Sequence, residues 1–311
     1  MDIFFELSSL IGSTPLIEIT YSFNNKIRKM YTKLEWYNLS GSIKDRPAFE
    51  ILKNSYLKKV LKKGQTICET TSGNMGISIC AMANALKNKV VICMPKTMSI
   101  ERQQLLLNYG AKLELTENFE QAFLTAKEYE KQGAFLTKQF ENKYNTKAHE
   151  QTAKEIYAKI KNIPCFVSGV GTGGTLMGVG GTLKSKTNCK IIAIEPAESL
   201  LLSTGFSQSK HKIQGLCDDI IPKLYNKNIV DKIIPIKSDD AILMSQKLCS
   251  CLGLGVGISS GANFLGCVLS NTNYATTIFC DDNKKYLSVT LPKETKSELV
   301  ENIKLIGYKI I

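Results

Sequence analysis

The chain is predicted to be an α/β protein in which parallel sheets are joined by crossover helices. Three observations predict it. Short β-branched runs alternate with amphipathic helical stretches along most of the 311 residues, a polar aperiodic stretch at 133–145 divides that alternation in two, and small-residue turns follow several of the runs. Strand and helix in alternation imply parallel pairing with helical crossovers. A chain of this length also has room for about two units of ~150 residues, burying roughly three quarters of its unfolded surface without a disulfide or metal staple.

In chain order, strands are expected at 65–69, 89–94, 112–115, 163–168, 190–194 and 276–279, where β-branched and apolar residues cluster. Apolar residues at helical spacing follow nearly all of them, at 76–86, 99–108, 119–132, 175–186 and 239–252. A further helix is expected at 147–161, after the polar stretch. In open α/β sheets a ligand site lies beyond the carboxyl ends of the strands, so two such units place a cleft between them and the chemistry at strand-to-helix turns.

Composition removes several function classes. Hydrophobic residues make up 43% and charged residues 22%, which fits a globular chain and not a disordered or fibrous one. No apolar run approaches the ~18 residues of a membrane span, and the first residues lack the basic flank and apolar core of a signal peptide. A cytoplasmic protein without membrane contact is expected. The ten cysteines form no Cys-x-x-Cys pair, and Cys80, Cys93, Cys165, Cys267 and Cys280 sit in apolar runs, where cysteine behaves as a small hydrophobe. Both histidines, His149 and His211, stand alone and are expected on the surface or in loops, so no metal site is expected. The formal charge of +12 is densest at Lys53, Lys58, Lys59, Lys62 and Lys63, with only Tyr56 among them. Nucleic-acid recognition asks for a basic patch with interleaved aromatics, so a solvated helix face is expected instead.

Three turns carry chemistry. The first, 40–47, reads Ser-Gly-Ser-Ile-Lys-Asp-Arg-Pro and sets Lys44 at the mouth of a helix. Taken alone it is a helix start in which Ser42 caps and Asp45 suits the positive end of the dipole. The second, 69–76, reads Glu-Thr-Thr-Ser-Gly-Asn-Met-Gly and opens a helix directly after a strand. Its backbone N–H groups, with the Thr71 and Ser72 hydroxyls, suit an anion such as a carboxylate, although a capped turn explains it equally. The third, 169–175, reads Gly-Val-Gly-Thr-Gly-Gly-Thr, a cup in which backbone can approach phosphate oxygens. Gly169, Gly171 and Gly174 also match G-x-G-x-x-G, and Glu195 follows 21 residues after Gly174 (195 − 174). An NAD-dependent dehydrogenase is therefore a rival reading, and a non-catalytic basic binding protein is a second.

With 11–16, Ile-Gly-Ser-Thr-Pro-Leu, and 257–262, Gly-Ile-Ser-Ser-Gly-Ala, these turns stand in the order found in one family. The chain resembles the cysteine synthase and cystathionine β-synthase family of fold-type II pyridoxal-phosphate enzymes, from Ile11 to at least Ala262. The resemblance implies a tryptophan synthase β-like fold of two open, twisted, mostly parallel sheets with the active site between domains. It divides the chain into a smaller mobile domain at 36–146, which binds the substrate carboxylate, and a larger one, 1–35 plus 147–311, which binds the cofactor phosphate. A homodimer is implied too.

By the same resemblance Lys44 holds pyridoxal 5'-phosphate as a Schiff base and moves the α-proton of the substrate. Asn74 bonds the ring hydroxyl, and Thr71, Ser72, the backbone at Met75, and Gln139 take the substrate carboxylate. Gly171, Thr172, Gly173, Gly174 and Thr175 receive the phosphate, and Ser259 faces the pyridine nitrogen. A neutral serine leaves that nitrogen unprotonated, which suits β-elimination over transamination. The reaction implied is β-elimination or β-replacement on a serine- or cysteine-type amino acid through an aminoacrylate, with sulfide or a thiol as partner.

The sequence departs from the family at two places. Cysteine synthases usually carry threonine at the position of Met75 and a glycine-rich stretch where 213–222 reads Ile-Gln-Gly-Leu-Cys-Asp-Asp-Ile-Ile-Pro. Cystathionine β-synthases carry an acidic residue in that stretch. Asp218 or Asp219 is therefore expected to orient or deprotonate water or an incoming thiol, letting L-cysteine serve as donor with release of hydrogen sulfide. A turn-capping role is the plainer alternative for either one. Dehydratases of this fold type usually read Ser-Ser-Gly-Asn-His where 71–75 is Thr-Ser-Gly-Asn-Met, so deamination is disfavoured. Nothing after the core resembles the regulatory domains or haem extension of some cystathionine β-synthases.

Overall fold

Among the described residues, eleven strands form two sheets, each with helices on both faces. The structure is a computed structural model and describes residues 3–206, 210–216, 220–290 and 296–311. The strands are β1 (Leu16–Phe23), β2 (Lys26–Leu34), β3 (Ile67–Thr70), β4 (Val90–Pro95), β5 (Lys112–Thr116), β6 (Phe135–Leu136), β7 (Cys165–Gly169), β8 (Lys190–Pro196), β9 (Lys232–Ile236), β10 (Tyr274–Phe279) and β11 (Ile303–Ile310). Among the helices are α1 (Ile3–Ser9), α2 (Asp45–Leu57), α3 (Asn74–Leu86), α4 (Ile100–Asn108), α5 (Phe119–Lys131), α6 (Lys143–Lys159), α7 (Gly174–Lys184), α8 (Leu201–Thr204), α9 (Ser238–Leu252) and α10 (Ile258–Leu269). Each strand expected from the sequence is present within a few residues.

The smaller sheet has the order β5-β4-β3-β6 and is parallel throughout. Every residue of β3 and β4 is buried, as parallel strands covered on both faces require. One face packs Ile67, Ile92 and Met94 against α2 and α3, and the other packs Cys68, Val91 and Cys93 against Ala122 and Ala126 of α5. Leu7 of α1 joins the first of these cores. The N-terminal helix thus packs with the small sheet, although the sequence assigned residues 1–35 to the larger domain.

The larger sheet has the order β11-β1-β2-β10-β7-β8-β9. Its β10-β7-β8-β9 half is parallel, with α9 and α10 on one face and α6 and α7 on the other. The sequence reading did not foresee β1, β2 and β11, which pair antiparallel at one edge. The β1–β2 hairpin turns on Asn24 and Asn25, with φ of 50° and 58°. Two consecutive positive φ values match the twist of the flanking strands, and asparagine tolerates them.

The polar stretch at 133–145 holds the two-residue β6 and the start of α6, so it is a crossing between sheets more than a loop. Lys58, Lys59, Lys62 and Lys63 are exposed at the end of α2 and beyond it. None of the described helices is long and apolar enough to cross a membrane.

Candidate active site

The carboxyl ends of β3 and β7 face a single cavity, and the three turns converge there. Its lining includes Lys44, Thr71, Ser72, Asn74, Met75, Gln139, Gly171, Thr172, Gly173, Thr175 and Ser259. Gly174, the first residue of α7, completes that turn. Asp218 and Asp219 lie outside the described residues, while Gln214, Gly215 and Leu216, just before them, also line the cavity.

Lys44 immediately precedes α2; of the two expected contacts the Ser42 hydroxyl is in place, while Asp45 turns back to Ser40. Ser42 Oγ accepts the Lys44 N–H at 3.2 Å, while the Asp45 carboxylate folds back to accept the Ser40 N–H at 2.7 Å and its hydroxyl at 2.5 Å. Burial raises the Asp45 pKa against the pull of those bonds. The turn is also tied to the larger sheet, since Ile43 N donates to Cys280 O at 2.8 Å.

At the second turn, Thr71 Oγ1 accepts the Gly73 N–H at 3.1 Å. Gly73 has φ of 142°, and a Cβ there would meet the Arg102 side chain at 2.4 Å. The helix starts at Asn74, so its first N–H groups have no partner within the helix and point toward an anion site. Met75 is 1% exposed within the small-sheet core, so its backbone and not its thioether can serve a ligand. Gln139 is held from three sides: its Nε2 donates to Thr70 O at 2.9 Å, its N–H reaches Glu69 Oε2 at 3.3 Å, and its carbonyl accepts Asn145 Nδ2 at 2.8 Å.

The third turn leaves β7 and enters α7 through Gly173, with φ of 82°. A Cβ on Gly171 would stand 2.2 Å from Gly215 O, and one on Gly174 would stand 2.0 Å from Asn145 Oδ1. Only glycine fits either position. Thr172 Oγ1 accepts Asn145 Nδ2 at 2.9 Å. His149 is a correction to the sequence reading: it is fully buried on α6, with Nε2 3.3 Å from Thr175 Oγ1.

Sequence reasoning missed four other residues at or beside the site, Arg102, Tyr286, Asp281 and the role of Cys280. Arg102 donates to Ser72 O at 3.3 Å and to Gln214 Oε1, and its NH2 reaches Tyr286 OH at 2.5 Å. Tyr286 OH donates to Asp281 Oδ2 at 2.6 Å, which also accepts Asn74 Nδ2 at 2.7 Å. Cys280 lines the cavity, and burial pushes its thiol up to about 12, so it stays protonated near neutral pH. The signals available were faint: Arg102 lies on an ordinary amphipathic helix, and Asp281 and Tyr286 follow a strand without a motif.

Glu195, the acid of the rival dinucleotide reading, is fully buried and already engaged. It accepts the Leu202 N–H at 2.8 Å, the Ser203 N–H at 3.3 Å and the Ser203 hydroxyl, capping α8. Its burial under α8 keeps it from a ribose in the cavity, whose lining does not include it.

The residues present fit pyridoxal phosphate. The glycine turn carries no side chain of its own where it lines the cavity at Gly171 and Gly173, the Asn74 Oδ1 atom is buried without a partner in the cavity that Lys44 also lines, and Thr175 offers a hydroxyl. The fold and this site define an α/β enzyme with a cofactor cavity at the carboxyl ends of strands of its two sheets, lined by Lys44. The family model described as pyridoxal-phosphate dependent enzyme matches residues 7–279, and the chain belongs to that family.

A cysteine synthase of Staphylococcus aureus is 39% identical over 298 residues, covering 92% of this chain and 96% of the relative. A cysteine synthase B of Campylobacter jejuni is also 39% identical, covering 92% and 98%. Among solved structures, a hydrogen sulfide-producing enzyme from Fusobacterium nucleatum superposes with a TM-score of 0.93 at 42% identity, over 99% of this chain and 98% of that one. An Asp-to-Asn mutant of that enzyme, in complex with an α-aminoacrylate intermediate, gives 0.95 at 41% over 98% of each chain. Pyridoxal phosphate is the cofactor of this enzyme.

Proposed function

We propose that, within the β-elimination and β-replacement chemistry of cysteine and sulfide metabolism, this enzyme takes L-cysteine as donor and releases hydrogen sulfide. The observation that carries the reading is the single cavity joining Lys44, the 71–75 turn, the glycine turn and Ser259. Similarity to the hydrogen sulfide-producing enzyme at 42% identity supports the direction, and so does the chain position of Asp218, two residues beyond Leu216 of the cavity wall.

When bound, pyridoxal phosphate withdraws electrons from the α-carbon of the amino acid, so that the α-proton and the β-substituent can leave. Everything else falls to the chain. Lys44 would hold the cofactor and would move the α-proton of the amino acid. Thr71, Ser72, the N–H groups at the start of α3 and Gln139 bind the substrate carboxylate and fix the amino acid in one orientation. Asn74 would bond the ring hydroxyl, and the neutral Ser259 would face the ring nitrogen without holding a proton on it. Gly171, Thr172, Gly173, Gly174 and Thr175 would bind the phosphate. Asp218 or Asp219 orients or deprotonates the water or thiol that adds last.

The enzyme works as a cytoplasmic homodimer, its 36–146 portion, with α1 packed against it, closing over the amino acid against the larger sheet. The test is sulfide release from L-cysteine by wild type, Asp218→Asn and Asp219→Asn, with serine or thioether product measured alongside. A large loss in one variant supports the reading, and unchanged rates in both overturn the role of the pair. Faster turnover of O-acetylserine with sulfide than of L-cysteine would favour the cysteine synthase direction of the curated relatives.

A further inference from the structure

Asp281 is fully buried, two residues beyond the end of β10, and it touches all three segments that carry the proposed ring-contacting residues. Its backbone bridges Ser42, two residues before Lys44, and the adjoining Cys280 carbonyl accepts the Ile43 N–H at 2.8 Å. Its carbonyl accepts the Gly257 N–H at 3.0 Å, two residues before Ser259. Its Oδ2 accepts the Asn74 amide at 2.7 Å. Gly257 is a glycine for this reason, because a Cβ there would stand 2.1 Å from Asp281 Oδ1. The carboxylate thus sits against the start of α10, where the helix dipole favours negative charge.

The amide of Asn74 has two N–H bonds and one oxygen. With Oδ2 of Asp281 and the Asn74 nitrogen at 2.7 Å, one N–H is committed, which fixes the plane in which the other N–H and the partnerless Oδ1 lie. Tyr286 OH, donating to the same Oδ2 at 2.6 Å, prevents the carboxylate from turning away, and Arg102 steadies Tyr286 in turn. We infer that Asp281 is a positioning residue for the cofactor ring: its carboxylate oxygen holds the Asn74 amide, while its backbone registers the Lys44 turn against the Ser259 helix. The inference rests on the proposed role of Asn74 at the ring hydroxyl.

The experiment measures pyridoxal-phosphate affinity and the visible absorption of the bound cofactor in Asp281→Ala, Asp281→Asn, Asn74→Ala and the Asp281→Ala/Asn74→Ala pair. Melting of each cofactor-free protein serves as the folding control. Asp281→Ala is expected to weaken cofactor binding about tenfold and to move the absorption band as Asn74→Ala does, with the double variant no worse than either alone. Asp281→Asn keeps an acceptor oxygen and is expected to restore both readings. Where the alanine variant does not fold, Asp281→Val withdraws the acceptor with less loss of volume and is expected to show the same defect. Losses that add in the double variant, or a band unmoved in Asp281→Ala while Asn74→Ala moves it, overturn the inference and leave the site reading standing. An Asn74→Ala protein with unchanged affinity and spectrum overturns both.

Discussion

His149 Nε2 lies 3.3 Å from Thr175 Oγ1, and its Nδ1 lies 3.4 Å from Thr152 Oγ1. Burial, followed by the nearby Arg46 and Lys44 charges, holds the imidazole well below its ordinary pKa of 6.5, so it is neutral. A neutral ring has one donor and one acceptor. The Thr175 hydroxyl has a single proton, and it can give that proton to a phosphate only if His149 donates from Nε2 and accepts from Thr152 at Nδ1.

His149→Ala should therefore weaken pyridoxal-phosphate binding about fivefold, the value of one net hydrogen bond of ~1 kcal/mol. His149→Gln, which can still donate, should recover part of it. Equilibrium dialysis of the cofactor decides. The depressed pKa also has a sign in stability: below about pH 6.5 the unfolded chain takes up a proton that the folded one does not, so stability falls as pH drops. In His149→Gln that part of the acid loss should vanish from urea melts.

Arg46 predicts the largest loss of stability. It lies two residues after Lys44 and pairs with Glu35 at 2.6 Å and Glu155 at 2.8 Å, while Lys33 reaches Glu155 at 2.6 Å. Burial alone would push Glu35 up, yet Arg46, Lys33 and the Thr14 hydroxyl hold it below the usual carboxylate range. Arg46→Ala leaves a fully buried carboxylate without its partner and should cost about 3–5 kcal/mol. Urea unfolding reads this directly. Because the native pKa is depressed, the stabilisation is present above the unfolded carboxylate pKa and is lost as pH falls through the native one.

Glu69 has the opposite sign. Burial, against hydrogen bonds from Thr137, Gln139 and Thr70, pushes it up to about 7 from 4.5. Between those values the folded protein keeps a proton that the unfolded chain has lost, so stability falls by about 3 kcal/mol as pH rises through the window. Glu69→Gln should flatten that slope. Its side-chain amide would also face donors that the carboxylate accepts, loosening Gln139 and raising the substrate KM about tenfold with little change in kcat. Steady-state kinetics at pH 8 separates the two effects.

The parallel core was legible because its strands are short apolar runs and their helices follow directly, as at β4 and α4. The antiparallel edge was not: β11 alternates buried or half-buried positions with exposed ones and has no run for such a search to find. His149 stands in a helix rich in lysine, and its burial comes from α7, where a Cβ on Gly178 would meet His149 Cβ at 2.6 Å. Asp281 finds its partner Asn74 207 positions away, a pairing that strand and helix periodicity do not encode. Local turns could be read one at a time. The polar network joining them needed the packed sheets.

Two glycines, one in the 169–175 turn and one in the helix that follows it, should respond in opposite directions to the same change. A methyl on Gly171 would lie 2.2 Å from Gly215 O, and since both partners are backbone, either the turn or the 213–216 loop must move. Gly171→Ala should then lower stability by about 1–3 kcal/mol through overpacking and weaken the cofactor at least about tenfold. Gly181 lies in α7 with nothing within 4 Å of a Cβ and no positive φ. Alanine there restricts the unfolded chain and favours the helix, so Gly181→Ala should stabilise by about 0.4–1 kcal/mol with cofactor affinity unchanged. Thermal melts with and without pyridoxal phosphate check both. If Gly171→Ala binds the cofactor as wild type does, the cup is not where the phosphate sits.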